Sequence, residues 1–200
     1  MLVIATANRD KLREIEELLA GAGIDLAPLN RWPQYESPAE TGATLEENAI
    51  IKAHGAARHT GLPAMADDTG LEVDALDGRP GIMAARFAGE RATYGDNRRK
   101  LLGLLAGVPE AGRTAVFRTV AALCFPDGEC HTVEGKCPGR ITSAERGNGG
   151  FGYDPVFLVP ALGLTFAEMD DATKNAVSHR GAALVRLRAV IADLARAGRL

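Results

Sequence analysis

The chain has 200 residues, of which 46% are hydrophobic, and its formal net charge at pH 7 is −3. This length and apolar content suffice for one domain with a sizeable core. The small acidic excess argues against a nucleic-acid or membrane-surface partner, because such proteins usually carry a basic patch. No stretch approaches the ~20 consecutive apolar residues that a membrane-spanning helix needs.

The first forty residues predict a strand, a loop and a helix, which is half of a βαβ unit. Residues 2–5 form an apolar run, Thr6-Ala7-Asn8 interrupts it, and apolar residues at helical spacing follow until Gly21. The N-terminus lacks the basic leader and long apolar run of a signal peptide. Together with three cysteines, an odd number, this predicts a cytoplasmic protein with reduced thiols and no disulfide framework.

A second helix is predicted from about Thr44 to His59, with Thr44 and Glu47 as a capping box and a stop at Gly61. Residues 64–68 then predict a buried strand that ends in two acids, followed by a turn at 69–70.

Two later segments complete the predicted architecture. Residues 114–125 and 131–135 flank Pro126-Asp127-Gly128, a turn sequence that predicts an antiparallel hairpin. The chain closes with a helix that carries one apolar stripe, formed by Leu184, Leu187, Val190, Ile191 and Leu194. Because both parallel and antiparallel pieces are present, we expect a single mixed α/β domain over residues 1–200.

Cations occur at two predicted helix N-termini, where the helix dipole disfavours them by ~0.3 to 1 kcal/mol each. Arg9 and Lys11 lie in the first turn of the opening helix, and His179 and Arg180 follow Ser178 at the start of the last one. A solvated surface cation would explain either place alone. Two such places favour anion binding, because a helix N-terminus already presents free N–H groups to phosphate.

The acids of the predicted buried strand suggest a metal site. Asp67 and Asp68 are adjacent, so their side chains face opposite sides of the sheet and only one can enter a given site. The alternative is that both acids cap the predicted turn. Glu40, in the loop 40–42, has no local structural explanation and is a candidate metal ligand. Glu40, Asp68 and phosphate oxygens would suit Mg²⁺, which takes only one or two protein carboxylates.

A glycine-rich segment carries the most informative motif of the chain. Residues 147–150 are Gly-Asn-Gly-Gly, and Phe151-Gly152-Tyr153-Asp154 follows, with Lys174 and 178–181 downstream. A glycine run alone is as often a turn as a binding loop. A nucleotide site requires an aromatic ring for base stacking, an acid that reads the base or holds a metal, and cations that neutralise phosphate.

In order along the chain, the segments 6–11 (TANRDK), 40–42 (ETG), 47–49 (ENA), 66–70 (ADDTG), 151–154 (FGYD) and 178–181 (SHRG) resemble those of the inosine triphosphate pyrophosphatases. This family is also called the non-canonical purine NTP pyrophosphatases, or the XTP/dITP diphosphatase family. The resemblance spans nearly the whole chain. It implies a long twisted mixed β-sheet flanked by helices, with two lobes around a nucleotide cleft. It also implies a homodimer, Mg²⁺ dependence, and hydrolysis of ITP, dITP and XTP to the monophosphate and pyrophosphate.

The resemblance also implies roles for individual residues. Asp68 matches the general base and, with Glu40, the metal ligands. The implied substrate-binding residues are Thr6, Ala7, Asn8, Arg9, Asp10, Lys11, Thr69, Phe151, Gly152, Tyr153, Asp154, Lys174, His179 and Arg180. The chain departs from the family pattern at Ala7, where glycine is usual, and at Ala84, where serine is common. Neither change removes a group with an essential chemical role.

The hypothesis drawn from these residues is an Mg²⁺-dependent nucleoside triphosphate pyrophosphatase. Asp68 would deprotonate a water that attacks the α-phosphorus, Phe151 would stack on the purine, and His179 with Arg180 would donate to a 6-oxo group. Two alternatives stay open: a related pyrophosphatase with another base preference, and a nucleotide-binding module without catalysis. A zinc deaminase is disfavoured, because the chain lacks the Cys-x-x-Cys and His-x-Glu arrangement of that chemistry.

Overall fold

The computed structural model describes residues 1–200 and contains an eight-stranded mixed sheet together with five α-helices. The strands are β1 (Leu2–Ile4), β2 (Leu26–Pro28), β3 (Ala64–Val73), β4 (Pro80–Gly81), β5 (Thr114–Cys124), β6 (Cys130–Ile141), β7 (Phe157–Val159) and β8 (Leu164–Thr165). Their order is β2-β1-β3-β5-β6-β7-β8, with β4 paired to β3. β1 pairs in parallel with β2 and β3, whereas the pairs β3–β4, β6–β7 and β7–β8 are antiparallel. The predicted mixed α/β fold is confirmed.

The three predicted helices lie close to their sequence signals, and the structure adds two helices that were not predicted, at residues 94–104 and 171–177. They are α1 (Arg9–Leu19), α2 (Leu45–Thr60), α3 (Tyr94–Leu104), α4 (Asp171–Val177) and α5 (His179–Arg196). Thr44 caps α2 by accepting a hydrogen bond from the Glu47 amide, and Gly61 ends it in the left-handed region at φ 70°. The Glu47 carboxylate accepts from the Ala43 amide at 2.6 Å, one residue before the position that a capping box would use. No helix is both long and apolar enough to cross a membrane.

The turn predicted at residues 69–70 is wrong. β3 continues through both residues to Val73, and Leu71 pairs with Gly81 of β4. Gly70 is buried inside the strand, where glycine is tolerated although it weakens pairing. The two acids therefore lie in the middle of a strand, and the explanation that they cap a turn fails.

The chain divides into two compact units. Unit 1 comprises Met1–Asp68, Thr119–Gly135 and Arg180–Leu200, and unit 2 comprises Thr69–Arg118 and Lys136–His179. Each unit has its own hydrophobic core. The core of unit 1 contains apolar residues of β1, α1 and α5, including Ile4, Ile15 and Leu187. The core of unit 2 is more aromatic and contains Phe117, Phe157 and Phe166. The single domain expected over residues 1–200 stays a prediction.

The cysteines differ from the expectation of three reduced thiols. Cys124 and Cys130 form a disulfide at the ends of β5 and β6, with their Cα atoms 4.1 Å apart. Cys137 is free and buried, and burial raises the pKa of its thiol to about 11. The sequence spacing could not reveal the pairing, because the turn of residues 125–129 has to bring the two strand ends together first.

Candidate functional site

The junction between β1 and α1 in unit 1 contains the predicted phosphate-binding residues. Asn8 is the N-cap of α1, and its Oδ1 accepts hydrogen bonds from the amides of Asp10 at 2.9 Å and Lys11 at 3.2 Å. Thr6 Oγ1 accepts from the Asn8 amide at 3.2 Å. Ala7 and Arg9 are exposed. Short polar side chains therefore fix the first turn of the helix, whose N-terminus favours anions.

A cavity of about 390 Å³ lies beside this junction. It is lined by Thr6, Ala7, Asn8, Arg9, Leu12, Pro28, Leu29, Asn30, Trp32, Pro33, Tyr35 and Ser37. Its volume lies within the ~300 to 1,000 Å³ of small-molecule pockets. The aromatic side chains Trp32 and Tyr35 were absent from the sequence hypothesis, because nothing in the loop that carries them indicates which way they turn.

Asp67 lies at the centre of a buried charge cluster in unit 1. Its carboxylate contacts Lys11 Nζ at 3.2 Å and accepts two hydrogen bonds from Arg180, from Nε at 3.2 Å and Nη2 at 3.0 Å. Arg180 Nη1 donates to Glu14 at 2.5 Å. Asp67, Arg180 and Glu14 are all less than 5% exposed. Two cations and two carboxylates thus neutralise one another, as the burial of Arg180 and both carboxylates requires, while the Lys11 side chain is 17% exposed.

These contacts set the charge states of the cluster. Burial by itself raises the pKa of Asp67, but the positive charges of Lys11 and Arg180 outweigh it and hold the pKa of this carboxyl well below its usual range. Burial lowers the pKa of Lys11, and Asp67 partly opposes that change. The role of Arg180 as a reader of the base stays a prediction. Its guanidinium donates to a carboxylate from each of its three nitrogens.

Asp68, the predicted catalytic residue, meets different partners from those of its neighbour. Lys52 Nζ, on α2, donates to Asp68 Oδ1 at 2.7 Å, and the same nitrogen lies 3.1 Å from Glu40 Oε1. Asn48, one turn earlier on α2, points its amide nitrogen at Asp68 Oδ2 from 3.5 Å. Burial raises the pKa of Asp68 above its ordinary value, although Lys52 opposes the shift.

The loop that carries Glu40 is fixed by the same helix. Asn48 is 2% exposed, and its Oδ1 accepts a hydrogen bond from the Gly42 amide at 2.8 Å. A Cβ at Gly42 would lie 2.6 Å from Glu47 Cβ and 2.7 Å from Asn48 Oδ1. Only glycine therefore allows the loop to approach α2 this closely, and the approach brings Glu40 toward the Lys52 ammonium.

The predicted metal ligands form a pair and not a larger cluster. No group of three or more His, Cys, Asp or Glu side chains is arranged to hold a metal. Glu40 and Asp68 each contact one positively charged nitrogen, that of Lys52. This donor set fits Mg²⁺, which commonly takes one or two carboxylates and completes its shell with water and substrate phosphates.

In unit 2, the predicted base-binding residues surround Asp154. Its carboxylate accepts hydrogen bonds from the Phe151 amide and from Lys174 Nζ, both at 2.7 Å, and Asp154 and Lys174 are each 4% exposed. The Lys174 ammonium lies 4.8 Å from the centroid of the Phe151 ring. Gly150 has φ 66°, and a Cβ there would lie 2.1 Å from Asp154 Oδ2. Gly150 is therefore required for packing, because only a residue without a Cβ lets the Asp154 carboxylate approach the backbone here.

Other predicted residues of unit 2 have structural contacts. The Tyr153 hydroxyl donates to the Ala84 carbonyl at 2.8 Å, and burial raises the pKa of Tyr153. The Gly152 carbonyl accepts from Arg98 Nη1 at 2.8 Å. The His179 ring stacks on Phe117, with centroids 4.4 Å apart. Thr69 is half-buried on β3. Their roles as substrate contacts stay predictions.

Three residues of the unit 1 clusters were missed by the sequence hypothesis. Lys52 and Asn48 are four residues apart on α2, so they share one face of the helix, and that spacing beside an acidic loop was the available signal. Glu14 looks like an ordinary helix-surface acid in the sequence. Its burial depends on Arg180, 166 residues away, and no local pattern indicates such a partner.

The fold and these side chains define a class of protein: a mixed α/β protein with a capped helix N-terminus at a strand-to-helix junction and two carboxylates that contact the same lysine. The chain matches the model of the Ham1 family over residues 2–190 and belongs to this family. Membership confirms the resemblance drawn from the motifs, and it confirms the prediction that the chain is a hydrolase.

Relatives and solved structures agree. The chain is 51% identical to a dITP/XTP pyrophosphatase of Geobacter sulfurreducens over 187 residues, 94% of each chain. It is 49% identical to one of Desulforamulus reducens over 190 residues, 95% of this chain and 94% of the relative. The fold is similar to that of a HAM1 protein from Coxiella burnetii, with a TM-score of 0.87, 42% identity and 96% and 98% of the two chains covered.

Proposed function

We propose that this protein hydrolyses non-canonical purine nucleoside triphosphates, namely ITP, dITP and XTP, to the nucleoside monophosphate and pyrophosphate. The names of the relatives support the reaction and the substrate class. The observation that carries the proposal is the position of Asp68. It is a buried carboxylate that contacts the same Lys52 ammonium as Glu40 does, and it lies in the same unit as the N-terminus of α1, the proposed phosphate site.

Mg²⁺ is the proposed cofactor, with Glu40 and Asp68 as its ligands. When bound, Mg²⁺ would supply neutralisation of phosphate charge. Lys11 and Lys52 would add two positive charges, and the N-terminus of α1 would add the partial positive charge of the helix dipole.

The chemical step is a displacement at the α-phosphorus. Asp68 accepts the proton of a water molecule whose oxygen attacks this phosphorus, and the bond to the oxygen that bridges the α- and β-phosphates breaks. Pyrophosphate leaves, and the nucleoside monophosphate retains the new oxygen. Lys52 donates to the Asp68 carboxylate, and Asn48 approaches its other oxygen from the same helix.

Base selection is assigned to two groups of residues: those around Asp154, and the pair His179 and Arg180. Phe151 stacks on the purine, and Lys174, held by Asp154, presents a cation at the same place. His179 and Arg180 are the proposed donors to the 6-oxo group. Adenine carries a donor at this position, so donor would meet donor and a buried group would lose its partner.

The test is a pyrophosphate-release assay with dITP, ITP, XTP, dGTP and dATP, each with and without Mg²⁺. We expect release from the first three only, and only with Mg²⁺. Efficient release from dATP or dGTP would favour a pyrophosphatase with another base preference. Binding of ITP without release at any Mg²⁺ concentration would favour a non-catalytic module. The proposed homodimer is tested by light scattering, and the proposed cytoplasmic location by cell fractionation.

A further inference from the structure

The Lys52 ammonium lies at the position proposed for the metal ion. It is 2.7 Å from Asp68 Oδ1 and 3.1 Å from Glu40 Oε1, the two oxygens proposed as metal ligands. The Lys52 side chain is 15% exposed, and that of Asp68 is 10% exposed. An ammonium and a hydrated metal ion cannot both occupy this space, and two cations so close together would repel each other.

Two contacts that do not involve Lys52 support the arrangement of the Glu40 loop and Asp68. Glu40 belongs to a loop whose Gly42 amide donates to Asn48, so the backbone of this loop does not depend on Lys52 for its place. Asn48 also points its amide nitrogen at the other oxygen of Asp68. The Asp68 carboxylate therefore keeps a partner on the same helix when the ammonium moves away.

We propose that Lys52 is a resident cation that holds the metal position of the nucleotide-free protein and is displaced when the metal binds between Glu40 and Asp68. This inference rests on the proposed function for the identity of the metal ligands. Lys52 neutralises two carboxylates that would otherwise repel each other, and it competes with the metal for them. Metal binding without nucleotide is consequently weak. The displaced ammonium, on its flexible stem, becomes available to the phosphate oxygens.

The experiment measures metal affinity without nucleotide. Mg²⁺ binding is followed by calorimetry, and binding of Mn²⁺, as a probe of the same position, by the loss of its free-ion electron paramagnetic resonance signal. The variants are Lys52→Met, which keeps an unbranched side chain and a good helix former, and Lys52→Arg, which keeps the charge. Lys100→Met is the matched control, because Lys100 also lies on an α-helix and is exposed.

We expect Lys52→Met to bind Mn²⁺ at least about tenfold more tightly than the wild type, because one competing charge has left the site. Lys52→Arg and Lys100→Met should bind like the wild type. Without added metal, Lys52→Met should also melt at a lower temperature than the wild type. Added Mg²⁺ should raise its melting temperature by more than it raises that of the wild type. Glu40→Gln in the Lys52→Met background should abolish the gain in affinity.

Equal or weaker metal binding by Lys52→Met, or no measurable binding by either protein, would overturn the inference. Melting with a single cooperative transition shows that a variant is folded. Pyrophosphate release from dITP by the wild type tests the proposed function separately. A wild type that releases pyrophosphate beside a Lys52→Met variant with unchanged metal affinity would refute the inference alone. Tighter metal binding by the variant beside an inactive wild type would refute the proposed function alone.

Discussion

The carboxylates of Asp67 and Asp68, adjacent on β3, contact different cations: Asp67 contacts Lys11 and Arg180, and Asp68 contacts Lys52. The alternation of side chains along a strand separates them. The arrangement divides two tasks between neighbouring acids of identical chemistry. Asp67 stabilises a buried charge cluster, and Asp68 is presented to the position proposed for metal and water.

Asparagine at the two positions should therefore separate activity from stability. We expect Asp68→Asn to lower kcat for dITP by about 10² to 10⁴, because the amide cannot accept the proton, and to remain folded. Asp67→Asn should instead lower the free energy of unfolding by about 3 to 5 kcal/mol, because it leaves buried cations without their anion. For both variants, urea unfolding measures the free energy of unfolding and pyrophosphate release measures kcat. Asp193→Asn, at an exposed position, is the control. Wild-type turnover by Asp68→Asn would refute its assignment.

The stabilising effect of Asp67 should depend on pH in one direction. Its pKa is held below the usual range by Lys11 and Arg180, so its contribution is complete above the unfolded-state pKa of about 3.9 and is lost as the pH falls toward the folded-state value. The difference in unfolding free energy between wild type and Asp67→Asn should be constant from about pH 6 to 5 and should narrow below about pH 4. A difference that instead widens as the pH falls from 6 to 5 would mean that the pKa of Asp67 is raised.

Removing the Arg180 guanidinium should destabilise the protein. Arg180→Met leaves the carboxylates of Asp67 and Glu14 buried without this cation, so we expect a loss of about 3 to 5 kcal/mol in urea unfolding. The control is Arg186→Met, on the exposed side of the same helix. It should change the free energy of unfolding by less than about 0.5 kcal/mol. If Arg180 also reads the base, the ratio of kcat/KM for dITP to kcat/KM for dATP should be smaller in Arg180→Met than in the wild type. A folded variant with an unchanged ratio would restrict Arg180 to the charge cluster.

Loss of the Phe151 ring should weaken binding of every purine nucleotide alike. The ring is half-buried and lies 6.0 Å from that of Tyr94 between centroids, and truncation should cost about 1 to 3 kcal/mol, the usual contribution of base stacking on an aromatic side chain. Calorimetry with non-hydrolysable ITP and ATP analogues checks Phe151→Ala, with Phe151→Tyr as the control that keeps a ring. Unchanged affinity in Phe151→Ala would place the base elsewhere.

The sequence alone determined the features whose causes are local. Thr44 and Gly61 set the ends of α2, because a cap satisfies backbone groups within a few residues, and the apolar periods located the opening and closing helices. The types of side chain proposed to bind the phosphates and the base were also evident. The turn predicted at residues 69–70 failed because β3 continues through pairing with β4, and strand pairing is not a local property.

Only the tertiary structure decided which charges meet. Lys11 looked like a cation placed against a helix dipole, yet its partner is Asp67, 56 positions further along the numbering. Lys52 meets Asp68 across 16 residues, and Arg180 meets Glu14 across 166. Such pairs form because folding removes each group from water, and a buried charge is stable only beside an opposite charge. The sequence supplies the charges, and packing of the helices against the sheet selects their partners.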